Sequence, residues 1–321
     1  MVKKLKMKFR LIDTEKVLDD SARRDNISGI ALYEGGRRAV LCTDEGSKII
    51  ILKQVDQQKW KVVNSLDLLE GDQEADLESL AVHDGWLYVV GSHCARRKRA
   101  KSGKSRKKNR KRLTEFGAQP SRRIMARVRL DELTEHDPHV EYDDGSIWNQ
   151  IQESQILAPF AAIPSKENGI DIEGIAIDNE EILLGFRGPV LRGNYAIAMR
   201  TKFRKNESEL LFLDLGGRGI RDLCRVEPQQ FLILAGPVGD EPTSYQVFSW
   251  DGKDHLEGKD FPDADGLTQI GEIPRHADYK EAKPEGIEVL SKKKGEVECV
   301  VVYDSAPVGA PIVFRLNSEI E

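Results

Sequence analysis

The chain has 321 residues, enough to bury a sizeable core, and its 49 Lys and Arg against 54 Asp and Glu give a net charge of −5. Residues 96–112 (RRKRAKSGKSRKKNRKR) hold 12 of the basic residues and no acid, so the remainder sets 37 basic against 54 acidic residues, a balance of −17. That balance excludes a nucleic-acid-binding fold that is basic throughout. No apolar run approaches the ~20 residues of a membrane-spanning helix, and MVKKLKMKFRLIDTEK lacks the apolar stretch of a signal peptide. Cys42, Cys94, Cys224 and Cys299 lack CxxC spacing. A soluble, reduced, cytoplasmic protein is the expectation.

In chain order, the first β-prone run is KMKFRLID, residues 6–13, with no neighbour to pair with. Five similar segments follow: ISGIALYEGGRRAVLCTDE from 27, LESLAVHDGWLYVVGSHC from 77, IEGIAIDNEEILLGFRGP from 172, IRDLCRVEPQQFLILAGP from 220 and PEGIEVLSKKKGEVECVVVYDS from 284. Each reads as a β-hairpin: a short strand, a polar turn, then a strongly apolar strand. The second strands (AVLCT, WLYVV, ILLGF, FLILA, ECVVV) are apolar on both faces, as expected for a sheet covered on both sides. After each hairpin come further strand-like runs: SKIIILKQ and WKVVNSLDL, RRIMARVRL and HVEYDDG, NYAIAMRT and ELLFLDL, SYQVFSW and HLEGKDF, and finally PIVFRL alone. Residues 147–160 can form a short helix.

Repeated four-stranded units, the last one strand short, describe an all-β fold: a β-propeller of antiparallel blades, with the N-terminal residues 1–13 supplying the missing strand and closing the ring. Residues 1–321 are read as one such domain. The repeat positions Ser28, Glu78, Glu173, Arg221 and Glu285 count five blades. Six remains the alternative if a connector hides a degenerate blade.

The runs DLESLAV…GSH, DIEGIAI…GFRGPV, GRGIRDL…AGPVGD and KPEGIEVL together resemble an uncharacterised bacterial family of unknown function, placed with the phytase-like esterases among the β-propellers. The resemblance spans residues 25 to 316. It implies the propeller fold and a relation to ester-cleaving enzymes, and assigns no activity.

In a hairpin the start of the first strand lies beside the end of the second. With the first strand innermost, Ser28 is expected beside Asp44, Glu78 beside Ser92 and His93, Glu173 beside Arg187, Arg221 beside residues 235–239, and Glu285 beside Asp304. The acids Glu78, Glu173, Glu285, Asp44 and Asp304 then meet at one mouth of the central channel, with Asp76 and Asp171 two residues before two of them. Oxygen donors without Cys suit Ca²⁺ or Mg²⁺. Arg187 and Arg221 are candidates to clamp an anionic ligand, and His93 is the one His at the rim, a candidate proton carrier. A small Gly or Ser after each motif Glu removes bulk where strands crowd. Two functions follow: metal-assisted hydrolysis of an ester or phosphoester, or a non-catalytic scaffold for a protein or acidic polymer, in which the same charges only tie blades together. A Ser28–His93–Asp44 triad can be drawn, but no GxSxG supports it.

Residues 96–123 interrupt the second unit between its second and third strands. Their composition predicts a disordered surface excursion, with phosphate groups of a polyanion as its natural contact.

Overall fold

The computed structural model describes residues 3–8, 10–12, 26–56, 59–259, 265–293 and 295–317. The chain enters through β1 (Lys3–Lys8) and β2 (Arg10–Ile12). The first blade is β3 (Ile27–Tyr33), β4 (Arg38–Thr43), β5 (Lys48–Asp56) and β6 (Lys59–Asp67). The second starts with β7 (Leu77–His83) and β8 (Trp86–Gly91). An excursion of β9 (Ala95–Arg97), α1 (Arg106–Thr114) and β10 (Phe116–Ala118) follows. The blade then resumes with β11 (Met125–Arg129) and β12 (Val140–Tyr142), and α2 (Ser146–Glu153) leads onward. The third blade is β13 (Asp171–Asp178), β14 (Glu181–Gly188), β15 (Tyr195–Thr201) and β16 (Ser208–Asp214). The fourth is β17 (Gly219–Glu227), β18 (Gln230–Gly236), β19 (Tyr245–Trp250) and β20 (Leu267–Ile273). The fifth has β21 (Lys283–Lys293), β22 (Glu296–Asp304) and β23 (Ile312–Asn317), and β1 completes it.

The count is five four-stranded antiparallel blades, as the repeats predict. The inner strands β3, β7, β13, β17 and β21 pack each on the next, and β21 returns to β3. Closure is visible in the core as well. Among the described residues, five buried clusters occupy the five gaps between blades. Ala31, Val40 and Ile49 of the first blade meet Leu80 and Val89 of the second. Val300 and Val302 of the fifth meet Ile30, Leu41 and Ile50 of the first. Burying each such side chain is worth roughly 1.5–3 kcal/mol, and apolar residues on both strand faces are what fill two gaps at once. No helix of the described residues is long and apolar enough to cross a membrane.

Three expectations change in detail. The N-terminal strand is divided: β1 pairs antiparallel with β23, Lys4 opposite Phe314, whereas β2 runs parallel to β6, Leu11 opposite Trp60. The N-terminal segment therefore joins the last blade to the first. Residues 1, 2, 9 and 13 of the expected closing segment lie outside the described residues. The outer strand of the fourth blade is Leu267–Ile273 rather than HLEGKDF. Asp254 and His255 instead bind the neighbouring β16, with Phe212 N–H donating to Asp254 Oδ1 at 2.7 Å and His255 N–H to the Phe212 carbonyl at 3.0 Å. The basic segment forms an ordered ribbon and helix. The Ser105 side chain caps α1 by accepting from Lys108 N–H, and Asn109 ties the helix to Lys101 through both its amide atoms.

Candidate functional site: a charged channel mouth

Each inner strand carries a register shift near its start, and each shift leaves one residue unpaired: Ser28 in β3, Glu78 in β7, Glu173 in β13, Arg221 in β17 and Glu285 in β21. These are the five equivalent repeat positions. A bulge re-aims the side chain of the extra residue, and four of the five bring charged groups, Glu78, Glu173, Arg221 and Glu285, to one cluster. The next residue packs on the neighbouring inner strand. A Cβ on Gly174 would lie 3.0 Å from Leu223 N, and one on Gly286 3.0 Å from the Ser28 carbonyl oxygen, so glycine there is a condition of blade spacing.

The bulged residues meet across blades. Glu173 takes Arg187 Nη1 at 2.6 Å on one oxygen and Arg221 Nη1 at 2.8 Å on the other. Arg221 Nη2 also pairs with Glu285 of the fifth blade. Arg187 further reaches Asp171 at 3.5 Å and donates from Nε to the Val238 carbonyl at 2.8 Å. Carboxylate oxygens of Glu78, Asp171 and Glu173 all lie within 4.8 Å of one another. Burial, then the neighbouring Glu173 and Asp76, pushes the Glu78 carboxyl well above the usual carboxylate range. Burial and Glu173 raise Asp171 likewise, against the pull of Arg187. Glu78 lies deep in the molecule yet keeps some solvent access, facing the channel. Among the described residues no basic side chain stands within ion-pair distance of it.

The other expected residues fall in three places. Asp44 neighbours Asp304 and Asp76, and burial together with those charges raises it to about 8; its Oδ1 is buried without a hydrogen-bond partner. Asp304 stands opposite Lys283 in the β21–β22 register. Asp76 accepts from Ser92 Oγ and from Arg122 Nη1, both at 2.5 Å. His93 is 2% exposed, with Nδ1 at 2.8 Å from the Gly91 carbonyl, and burial lowers its pKa to about 4. A neutral imidazole so enclosed has neither Ser28 nor Asp44 as a hydrogen-bond partner. Cys94 sits against Ser92, Asp76 and Arg122, its thiol pushed up to about 12 by burial and then Asp171.

Two participants escape sequence reasoning. Arg122 reads as part of the basic excursion but is 2% exposed and bound to Asp76 and Glu74. Asp222 occupies the position held by Gly29, Ser79, Gly174 and Gly286 in the other repeats. From the fourth blade it reaches Ser79 of the second, whose hydroxyl donates to Oδ1 at 2.5 Å, while Oδ2 accepts from Ile287 N–H of the fifth at 2.7 Å. An Asp at a small-residue position is the signal that marks it.

Residues 26–309 match the model of a family described as "Protein of unknown function (DUF3616)". The chain belongs to this family. No curated protein matches it. Among solved structures, the endo-arabinase from Bacteroides thetaiotaomicron VPI-5482 is similar at 11% identity, with a TM-score of 0.44, over 94% of this chain and 96% of that one.

Proposed function

We propose that this protein binds a divalent cation at its channel mouth through Glu78, Asp171 and Glu173, and acts through that cation on a small anionic ligand. The observation that carries the reading is Glu78: a deep carboxylate, crowded by two others within 4.8 Å, with Arg187 turned to Glu173 and Asp171 and no basic side chain within ion-pair distance of Glu78 among the described residues. A hard cation relieves that repulsion, and an all-oxygen donor set favours Ca²⁺ or Mg²⁺ over zinc. Glu285 lies outside the group of three whose carboxylate oxygens are within 4.8 Å of one another, and Asp171 stands in it instead. Asp44 and Asp304 form a separate acidic pair beside the mouth. When bound, the cation would supply an activated water or polarise an ester or phosphoester oxygen, which makes hydrolysis the activity to assay first. Arg187 and Arg221 border the same spot. Both are engaged by Glu173, so they can hold an incoming anion once the cation neutralises that carboxylate.

A second reading is a non-catalytic scaffold, favoured by Arg221 binding acids of the third and fifth blades at once. Calorimetric titration of chelator-treated protein with Ca²⁺ and Mg²⁺ separates the two. The first reading expects binding heat and a higher melting temperature, both lost in Glu78→Gln while the variant stays folded. Absence of heat and of any thermal shift at millimolar metal leaves the scaffold.

A further inference from the structure

The basic excursion carries a surface that the channel mouth does not explain. It leaves the second blade on the side of the mouth, where Ala95 bridges Pro164 and Arg97 pairs with Glu167 at 2.5 Å and 3.0 Å. The ribbon strands β9 and β10 pair, Arg97 opposite Phe116, and the Arg97 guanidinium lies 4.5 Å over that ring. Only three of the twelve basic residues have an acidic partner: Arg96 with Glu74, Arg97 with Glu167, and Lys98 with Glu115. The other nine, Arg99 through Arg112, form no ion pair among the described residues, although Lys111 and Arg112 stand near enough to Glu115 to help lower its carboxyl. No residue of α1 is buried. An acidic body stands next to this arm, yet the arm does not fold down onto it.

The distribution of charge around α1 indicates the partner. At 3.6 residues per turn, Arg106, Lys107, Lys108, Arg110, Lys111 and Arg112 cover about 240° of the helix circumference. The remaining sector holds Asn109, bonded to Lys101, and Leu113. Arg112 also donates to the Arg99 carbonyl at 2.7 Å, which fastens the helix to its own ribbon on that side. A membrane surface requires an apolar face, and Leu113 is the single apolar residue of the helix. An acidic protein surface touches one side of a helix and would leave most of these charges unused. A groove walled by phosphates on both sides uses them all. The B-form major groove is ~12 Å wide and admits an α-helix.

We propose that α1 and its flanking loop are a docking arm for the phosphate walls of a nucleic-acid duplex. The contact is to the backbone and does not read sequence: Asn109 and Thr114, the helix side chains besides Lys and Arg that suit base edges, are bonded within the arm to Lys101 and to the Lys111 carbonyl. The acidic body is repelled, so only the arm touches the duplex. The inference is independent of the metal reading: it needs none of the mouth residues.

The test is fluorescence anisotropy of a short labelled DNA duplex titrated with protein across a salt series. With six phosphates engaged, the slope of log K against log salt should be about −5. Lys107→Gln/Arg110→Gln/Lys111→Gln should weaken binding by about tenfold or more at low salt and reduce the slope by about three. Its melting temperature should match wild type, because these side chains are exposed and Gln keeps the helix. Replacing residues 99–114 with a Gly/Ser linker should abolish binding. No binding of the duplex at low salt, or unchanged affinity and slope in the triple variant, overturns the proposal. Polyglutamate binding as tightly as the duplex also overturns it and assigns the arm to an acidic protein.

Discussion

Arg221 shows how much one residue can be asked to do at a propeller axis. Its guanidinium holds Glu173 from the blade before it and Glu285 from the blade after it. All three are nearly inaccessible to solvent. Removing one member of such a group strands the others as buried charges, which costs about 3–5 kcal/mol, far more than the pair contributes net. Arg221→Ala should therefore lower unfolding free energy by about that amount at neutral pH, measured by urea denaturation. The double variant Arg221→Ala/Glu285→Gln should recover part of the loss, because one stranded charge is gone. A loss unchanged in the double variant would point to packing as the cause. At this scale the sequence is a partial guide. The repeat alignment singles out Glu78, Glu173, Arg221 and Glu285, because equivalent positions must converge under rotational symmetry. It does not rank Asp171 above Glu285 as a neighbour of Glu78, since that depends on which carboxylate Arg221 takes. Asp222 is missed for a different reason: its position in the repeat is one where the other blades have little or no side chain, so it reads as a spacing residue.

At the scale of elements, β1 and β2 do what no single strand of a blade does: they join two blades that are far apart in sequence. Lys3 and Lys4 pair with Arg315 and Phe314, and Arg10 to Ile12 pair with Lys59 to Lys61. Deleting residues 1–12 leaves β23 as an exposed edge of a three-stranded fifth blade, and such an edge invites pairing with other chains. The truncated protein should melt several degrees lower and show oligomers by size-exclusion chromatography. A monomer with unchanged melting temperature would show that the closing strand is dispensable. The hairpins are legible in the sequence because their second strands are apolar on both faces, a pattern few other elements produce. The bulges are not, since a register shift comes from the fit between two strands and leaves no mark in either alone. The same limit explains HLEGKDF: Leu256 and Phe261 resemble a strand, but Asp254 is drawn to the Phe212 N–H of the adjoining blade, and the true outer strand starts at Leu267. Composition also misleads on the basic excursion, because two polar side chains, Ser105 and Asn109, are enough to order a helix that buries nothing.

The whole molecule is a closed ring whose five interblade gaps are apolar and whose mouth concentrates acids in a chain already acidic outside its arm. Asp44, Asp76, Glu78 and Asp171 are all raised, each with burial as the first cause. Raised carboxyl groups make a definite statement about stability. Asp44 moves from an ordinary 3.8 to about 8 in the folded protein. Between those values the folded state holds a proton that the unfolded state releases, so the stabilisation is complete below about 4 and is lost as pH rises through about 8. Every tenfold gain in proton affinity on folding corresponds to about 1.4 kcal/mol, and solvent access to half-buried Asp44 trims the total to roughly 2–3 kcal/mol. Salt-bridged surface acids such as Glu298 pull the other way, because Arg315 lowers that carboxyl. The quantity to measure is therefore the difference between wild type and Asp44→Asn, followed by thermal denaturation from acidic to mildly alkaline pH. Asn keeps the neutral character of the protonated carboxyl, so the two proteins should melt together at the acid end. As the pH rises the wild type should fall progressively below the variant. A difference that stays constant with pH would mean Asp44 is ionised in the folded state, with Lys283 near Asp304 offsetting its charge. A wild type that gains on the variant as pH rises would mean that a basic group stabilises the ionised form, and the crowding of acids at this mouth would have to be reassigned.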